Sequence, residues 1–288
     1  MAVRGRDVAR AKPQVTAIAV AVLVVVIAAV TSALVAPGGR HARGAGSPFF
    51  VAPGRAARTS PSTTGPGTHP VATPTHGSTV LLDNGPAVPD GIQHAAETPG
   101  KAVNITIDDG PDPRWTPQIL DVLKRHHVHA TFCMIGPQAK AHPELVRRVV
   151  AEGHRLCDHT VHHDTGMASK PLAYQKSEIS DALAMIKDAS GGARVYYYRA
   201  PGGAFTPPSR AWAAAHGMRP LGWNIDTKDF DRPGVDAILA TVKAEIHNGP
   251  TLLFHDGGGD RAQTVTALDR SLTWLKGQGY AFSFPKVG

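Results

Sequence analysis

The sequence predicts an α/β fold in which parallel strands curve into a barrel, and three observations predict it. From residue 101 onward, short apolar runs alternate with segments whose apolar residues recur at helical spacing. Alternating strand and helix imply parallel strands, because each helix supplies the crossover between two of them. Polar residues then follow five different strand segments. A barrel gathers its site from the ends of many strands. An open doubly wound sheet shares the alternation but gathers its site at one switch point, so the distribution favours the barrel.

Taken in order, the first strand covers 102–107 and ends at Asp108 and Asp109; a helix over 116–127 follows, apolar at 119, 120, 122 and 123. A strand over 129–135 and a helix over 137–152 come next, the latter with Leu145, Val146, Val149 and Val150 on one side. The strand 154–158 runs into His159-Thr160-Val161-His162-His163. A helix over 172–189 leads to the strand 195–198 and Arg199-Ala200-Pro201-Gly202-Gly203. The helix 208–216 precedes a strand over 218–225 that ends at Asp226. A helix over 236–247, a strand over 251–254 ending at His255, a helix over 262–276 and a last strand over 280–284 complete the pattern.

The rest of the chain has a different character. The chain has 288 residues, 42% of them apolar, and a formal net charge of +7. The charge has no run: Arg4, Arg6, Arg10 and Lys12 against Asp7 give +3 within 1–36, and 100–288 adds only +3. That excludes a nucleic-acid footprint. Residues 17–36 carry no charge and follow the basic segment, and such a helix rises about 30 Å, the thickness of a bilayer core. The reading is a cytoplasmic tail plus membrane anchor over 1–36, with a single-pass chain and an extracytoplasmic C-terminal domain. Its alternative is a cleaved signal, with Thr31-Ser32-Ala33 as the small-residue cleavage site and a secreted product. Residues 37–99 are rich in Pro, Gly, Ser and Thr without hydrophobic period, a disordered linker spanning about 45 Å. The catalytic domain is then 100–288, and a monomer is expected.

His159 and His163, four apart, can turn toward one point, where a divalent metal is the usual occupant, and Asp108-Asp109 leave a strand to meet them. Spacing alone leaves open which of the three histidines serve.

With Thr106-Ile107-Asp108-Asp109-Gly110-Pro111, His159-Thr160-Val161-His162-His163, Arg199-Ala200-Pro201-Gly202-Gly203, Asp226-Thr227-Lys228-Asp229-Phe230 and Leu253-Phe254-His255 in this order, the chain resembles the polysaccharide deacetylase family, the NodB-homology carbohydrate esterases of family 4. The resemblance covers about 101–285. It implies a distorted (β/α) barrel and metal-dependent removal of acetyl groups from N-acetylated polysaccharides, with peptidoglycan amino sugars favoured over chitooligosaccharide, another exopolysaccharide or O-acetylated xylan. By resemblance Asp109, His159 and His163 are the metal ligands, for zinc by default and for cobalt or nickel by the same donors. His162 falls outside the family spacing.

The same resemblance makes Asp108 the general base, Arg199 its orienting partner and His255 the general acid. Of the carboxylates that would raise the pKa of His255, Asp226 is the reading over Asp229 and Asp256. Pro201 and Gly202 form a turn whose backbone N–H is a donor for the developing oxyanion. Trp223 and Leu253 line a slot for the acetyl methyl. The chain departs from the family at Ile107 and Phe230, where phenylalanine and tryptophan are usual, and at Gly202, where many relatives have tyrosine. Cys133 and Cys157, at corresponding points of adjacent strands in an exported domain, predict a disulfide. A catalytically silent glycan-binding protein is the rival reading from another class.

Overall fold

In β1 (Ala102–Asp108) every residue is buried, and the alternation of its side chains divides the molecule. Val103, Ile105 and Ile107 join the apolar core with the helices, while Asn104, Thr106 and Asp108 point to the opposite, polar side. The computed structural model describes residues 83–288. The predicted anchor over 17–36 and the linker up to residue 82 lie outside the described residues. Among the described residues no helix is long and apolar enough to cross a membrane.

After β1 the chain continues through α1 (Thr116–Arg125), β2 (Ala130–Met134), α2 (Gly136–Ala141), α3 (Pro143–Ala151) and β3 (Arg155–Asp158). It goes on through α4 (Leu172–Ser190), β4 (Val195–Tyr198), α5 (Pro207–Ala215), β5 (Arg219–Pro220), β6 (Ile225–Asp226) and α6 (Val235–Glu245). β7 (Thr251–His255), α7 (Ala262–Gly277) and β8 (Ala281–Phe282) complete it. All strand pairs are parallel.

The sheet order is β5-β4-β3-β2-β1-β7-β6, with β8 on β1. Read round the ring, the strands follow chain order, as in a (β/α) barrel and unlike a doubly wound sheet. Neither β5 nor β6 pairs with the other, so the ring is an open half-barrel.

The structure departs from three sequence expectations. The single helix over 137–152 is two, because Pro143 has no N–H to donate and begins a new helix after His142, whose φ of −129° and ψ of 57° break the run. The strand over 218–225 is likewise two short pieces. Between them the carbonyls of Leu221 and Gly222 accept hydrogen bonds from the Arg199 side chain.

The linker boundary at 99 also moves. Asn84 brackets Val195, its Nδ2 donating to the carbonyl at 2.7 Å and its Oδ1 accepting from the N–H at 2.8 Å. The N–H of Gln93 donates to Pro220 O at 2.8 Å, and that of Gly222 donates to Gln93 O at 2.9 Å. Thr251 Oγ1 donates to His94 O at 2.7 Å. The segment from Asn84 to His94 is therefore hydrogen-bonded to residues of β4, β5 and β7. Hydrogen bonds to main-chain groups, without an apolar period, hold it, so composition alone reads it as linker.

Candidate active site and metal centre

Register brings the site together at the C-terminal ends of the strands. Asp108 stands opposite Cys133 in β2 and opposite His255 in β7. The next residue, Asp109, takes φ 78°, and its N–H donates to Cys133 O at 3.2 Å. Gly110 is required at the following position: a Cβ there would lie 2.3 Å from Asp256 Oδ1. The predicted disulfide between Cys133 and Cys157 is formed, joining β2 to β3 just before the histidine turn.

His159 N–H donates to Met134 O at 2.9 Å, and its Nδ1 lies 2.8 Å from Arg199 O. A carbonyl can only accept, so Nδ1 carries the proton and Nε2 keeps its lone pair. That Nε2 is 3.6 Å from both Asp108 Oδ2 and Asp109 Oδ1. Burial, with the charges of His163 and Arg199, pushes His159 down to about 3 against the pull of Asp109, which leaves the ring neutral.

His163 Nε2 lies 3.2 Å from Asp109 Oδ1. One donor atom from each of Asp109, His159 and His163 lies within 4.8 Å of the others. The buried Asp109 Oδ1 has no hydrogen-bond partner. Two imidazoles and an unpartnered carboxylate oxygen fit a divalent cation with open positions left for other ligands.

On the other side of this cluster Arg199 is completely buried. Its Nη1 donates to Asp108 Oδ1 at 2.7 Å and to Thr106 Oγ1 at 2.9 Å, and its Nε and Nη2 donate to the carbonyls of Leu221 and Gly222. Burial raises the Asp108 carboxyl above its usual value, and the charges of Arg199 and His255 work against that rise.

The carboxylate beside His255 is Asp229, which corrects the choice of Asp226. His255 Nδ1 donates to Asp229 Oδ1 at 2.7 Å, and its backbone N–H to Oδ2 at 2.9 Å. Thr264 Oγ1 donates to the same carboxylate at 2.8 Å. The reason is register: Asp226 ends β6 opposite Leu253, two residues short of His255. A left-handed Lys228, φ 56°, then turns Asp229 inward, while Asp226 pairs with Lys228 Nζ at 2.6 Å. Burial penalises the His255 cation, but the bond to Asp229 and the charges of Asp229, Asp108 and Asp109 outweigh it and push the imidazole up to about 9.

One cavity of about 470 Å³ receives Asp108, Asp109, His159, His163, Arg199 and His255. Gly202, Trp223, Leu253 and Asp226 also line it, with Phe230, Lys228 and Thr165. Pro201 is buried and is not among its lining residues. Gly202 has φ 58°, and a Cβ there would meet Thr165 Cγ2 at 3.2 Å.

Sequence reasoning missed Thr165, Thr264 and Glu178. Glu178 carried a signal: it is a carboxylate on the buried face of α4, in register with Ile179, Ala182 and Leu183.

Comparison with known proteins bears on the family and the fold. The family model for polysaccharide deacetylase matches residues 95–221. A chitooligosaccharide deacetylase of Sinorhizobium fredii is 37% identical over 193 residues, covering 64% of this chain and 89% of its own. The crystal structure of a peptidoglycan N-acetylglucosamine deacetylase superposes with a TM-score of 0.62 at 30% identity, covering 66% of this chain and 89% of that one. A family 4 pseudoenzyme from Bacillus anthracis superposes with a TM-score of 0.61 at 27% identity, covering 67% and 66%. The half-barrel, the five segments in order and a relative matched over most of its length lead to one conclusion: this chain belongs to the polysaccharide deacetylase family.

Proposed function

We propose that the protein is a metal-dependent hydrolase that removes acetyl groups from N-acetylated amino sugars of an envelope polysaccharide, peptidoglycan N-acetylglucosamine first among them. The observation that carries this is the meeting of Asp108 and His255 with Asp109, His159 and His163 in one cavity. The pseudoenzyme among the structural neighbours makes the combination of residues, rather than the fold, the argument.

Asp109, His159 and His163 would hold the cation, with zinc the default for such donors and cobalt or nickel compatible. Bound there, the cation would polarise the acetamide carbonyl and acidify the attacking water. Asp108, oriented by Arg199 at 2.7 Å, would take the proton from that water. His255, held toward its cationic form by Asp229, would give a proton to the departing sugar nitrogen. The C–N bond breaks, acetate leaves, and the sugar keeps a free amine. Trp223 and Leu253 would hold the acetyl methyl, with backbone donors of the Pro201 turn toward the oxyanion.

The choice of peptidoglycan rests on the apolar segment 17–36 and the tether after it, which would keep the domain beside the envelope. Likeness to both a chitooligosaccharide and a peptidoglycan deacetylase supports an amino-sugar substrate. The test is acetate release by the zinc-loaded chain from peptidoglycan, chitooligosaccharide and acetylated xylan. Acetate from the amino-sugar polymers is expected. Release from xylan alone overturns the amino-sugar reading, and release from none, with the glycan still bound, makes this a glycan-binding protein.

A further inference from the structure

The turn carrying His159 and His163 is short and bent into conformations that side chains disfavour: Thr160 has φ 68° and His163 φ 50°. With three histidines in five residues it has more than one way to face the cavity, so its register has to be fixed from outside. Glu178 on α4 reaches it. The Glu178 side chain is only 3% exposed. Its Oε2 accepts from the N–H of Val161 at 3.2 Å and of His162 at 2.9 Å, and its Oε1 lies 2.5 Å from His162 Nδ1. All three contacts go to the residues between His159 and His163.

Burying a carboxylate is costly unless donors satisfy it, and bonds from N–H groups to a charged acceptor are short and directional. Glu178 is moreover fixed on a helix whose Ile179, Ala182, Leu183 and Ile186 are fully buried. A Cβ on Gly136 would lie 2.9 Å from Ala182 Cα, which shows how closely α2 and α4 pack.

We propose that Glu178 is a positioning residue for the metal centre, a lock that selects His163 over His162 as the ligand. By engaging Val161, His162 and the His162 ring, it turns His162 outward. The His162 side chain is accordingly 69% exposed, whereas His163 Nε2 lies 3.2 Å from Asp109 Oδ1. The inference rests on the metal reading of Asp109, His159 and His163 and not on the roles given to Asp108 and His255.

The test strips the full chain of metal and titrates it with zinc against a chromophoric chelator, with no substrate present. The thermal midpoint is recorded with and without zinc. Glu178→Gln keeps an oxygen that can accept both backbone bonds, Glu178→Asp withdraws the acceptor by one methylene, and Glu178→Ala removes it. Orienting residues of this kind change metal affinity by about 10–100-fold, so the Asp and Ala variants are expected to lose that much. The rise in midpoint on zinc loading shrinks in step. Glu178→Gln and His162→Ala are expected to stay within about threefold of wild type.

Wild-type affinity in the Asp variant overturns the proposal, as does a loss in the Gln variant equal to that in the Asp variant. This pair decides the matter even if Glu178→Ala does not fold. A wild-type chain that takes up no divalent cation also overturns it. A chain that binds zinc but releases no acetate overturns the proposed hydrolysis and leaves the lock standing.

Discussion

Two buried histidines reach the same cavity from either side of β1, and what each Nδ1 meets makes them different tools. His159 donates to the carbonyl of Arg199 at 2.8 Å and is pushed down to about 3, chiefly by burial. His255 donates to the carboxylate of Asp229 at 2.7 Å and is pushed up to about 9 although burial opposes it. Burial penalises the cation in both, so the partner decides. A neutral imidazole with a free Nε2 is a ligand, and a cationic one is an acid. Neither role is visible in the residue name.

The largest effects come from removing either side of this contrast. Asp108→Asn and His255→Ala are each expected to lower kcat for acetate release by about 10²–10⁴. His159→Ala, or exhaustive chelation of the wild type, should remove bound metal and bring acetate release to background, as metal analysis beside the assay would reveal.

Exchanging the partner of His255 probes the contrast itself. Asp229→Asn should lower kcat by about tenfold or more, since the acid then loses its proton nearer neutrality. Asp226→Asn, whose side chain meets Lys228, should stay within about threefold. The sign follows from the raised pKa. Stability from the His255–Asp229 pair is complete below the ordinary histidine value of 6.5 and is lost as pH rises through about 9. The depressed pKa of Asp229 adds a second loss as pH falls through it. Melting of wild type and Asp229→Asn across that range would measure both.

The two sides also differ in what braces them. The Cys133–Cys157 bond, 24 residues apart, joins the strands that lead to His159, and no disulfide braces β7 among the described residues. Replacing both cysteines by serine should cost about 3 kcal/mol. Hydrogen exchange is expected to rise more in β2 and β3 than in β7. The smallest effect is at Phe230, whose ring packs edge-on against His255 at 5.2 Å. Phe230→Ala should raise KM by roughly threefold with kcat nearly unchanged, as loss of uniform binding does.

The sequence made the repeating architecture legible, because apolar period and length separate strand from helix, and it made the cluster legible through His159, His163 and Asp109. What it hid depended on turns. Asp226 and Asp229 differ in one left-handed residue, Lys228, which period cannot reveal. The segment 83–99 is held by main-chain bonds such as that of Gln93 to Pro220, which leave no trace in composition. Pro143 did carry a readable signal, the missing N–H that splits α2 from α3.

The most direct test is the pH dependence of kcat/KM for acetate release from an N-acetylglucosamine polymer, for the zinc-loaded wild type and for Asp229→Asn. The His255–Asp229 pairing predicts a bell for the wild type whose alkaline limb moves to lower pH in the variant. An alkaline limb that is the same in both proteins would contradict it.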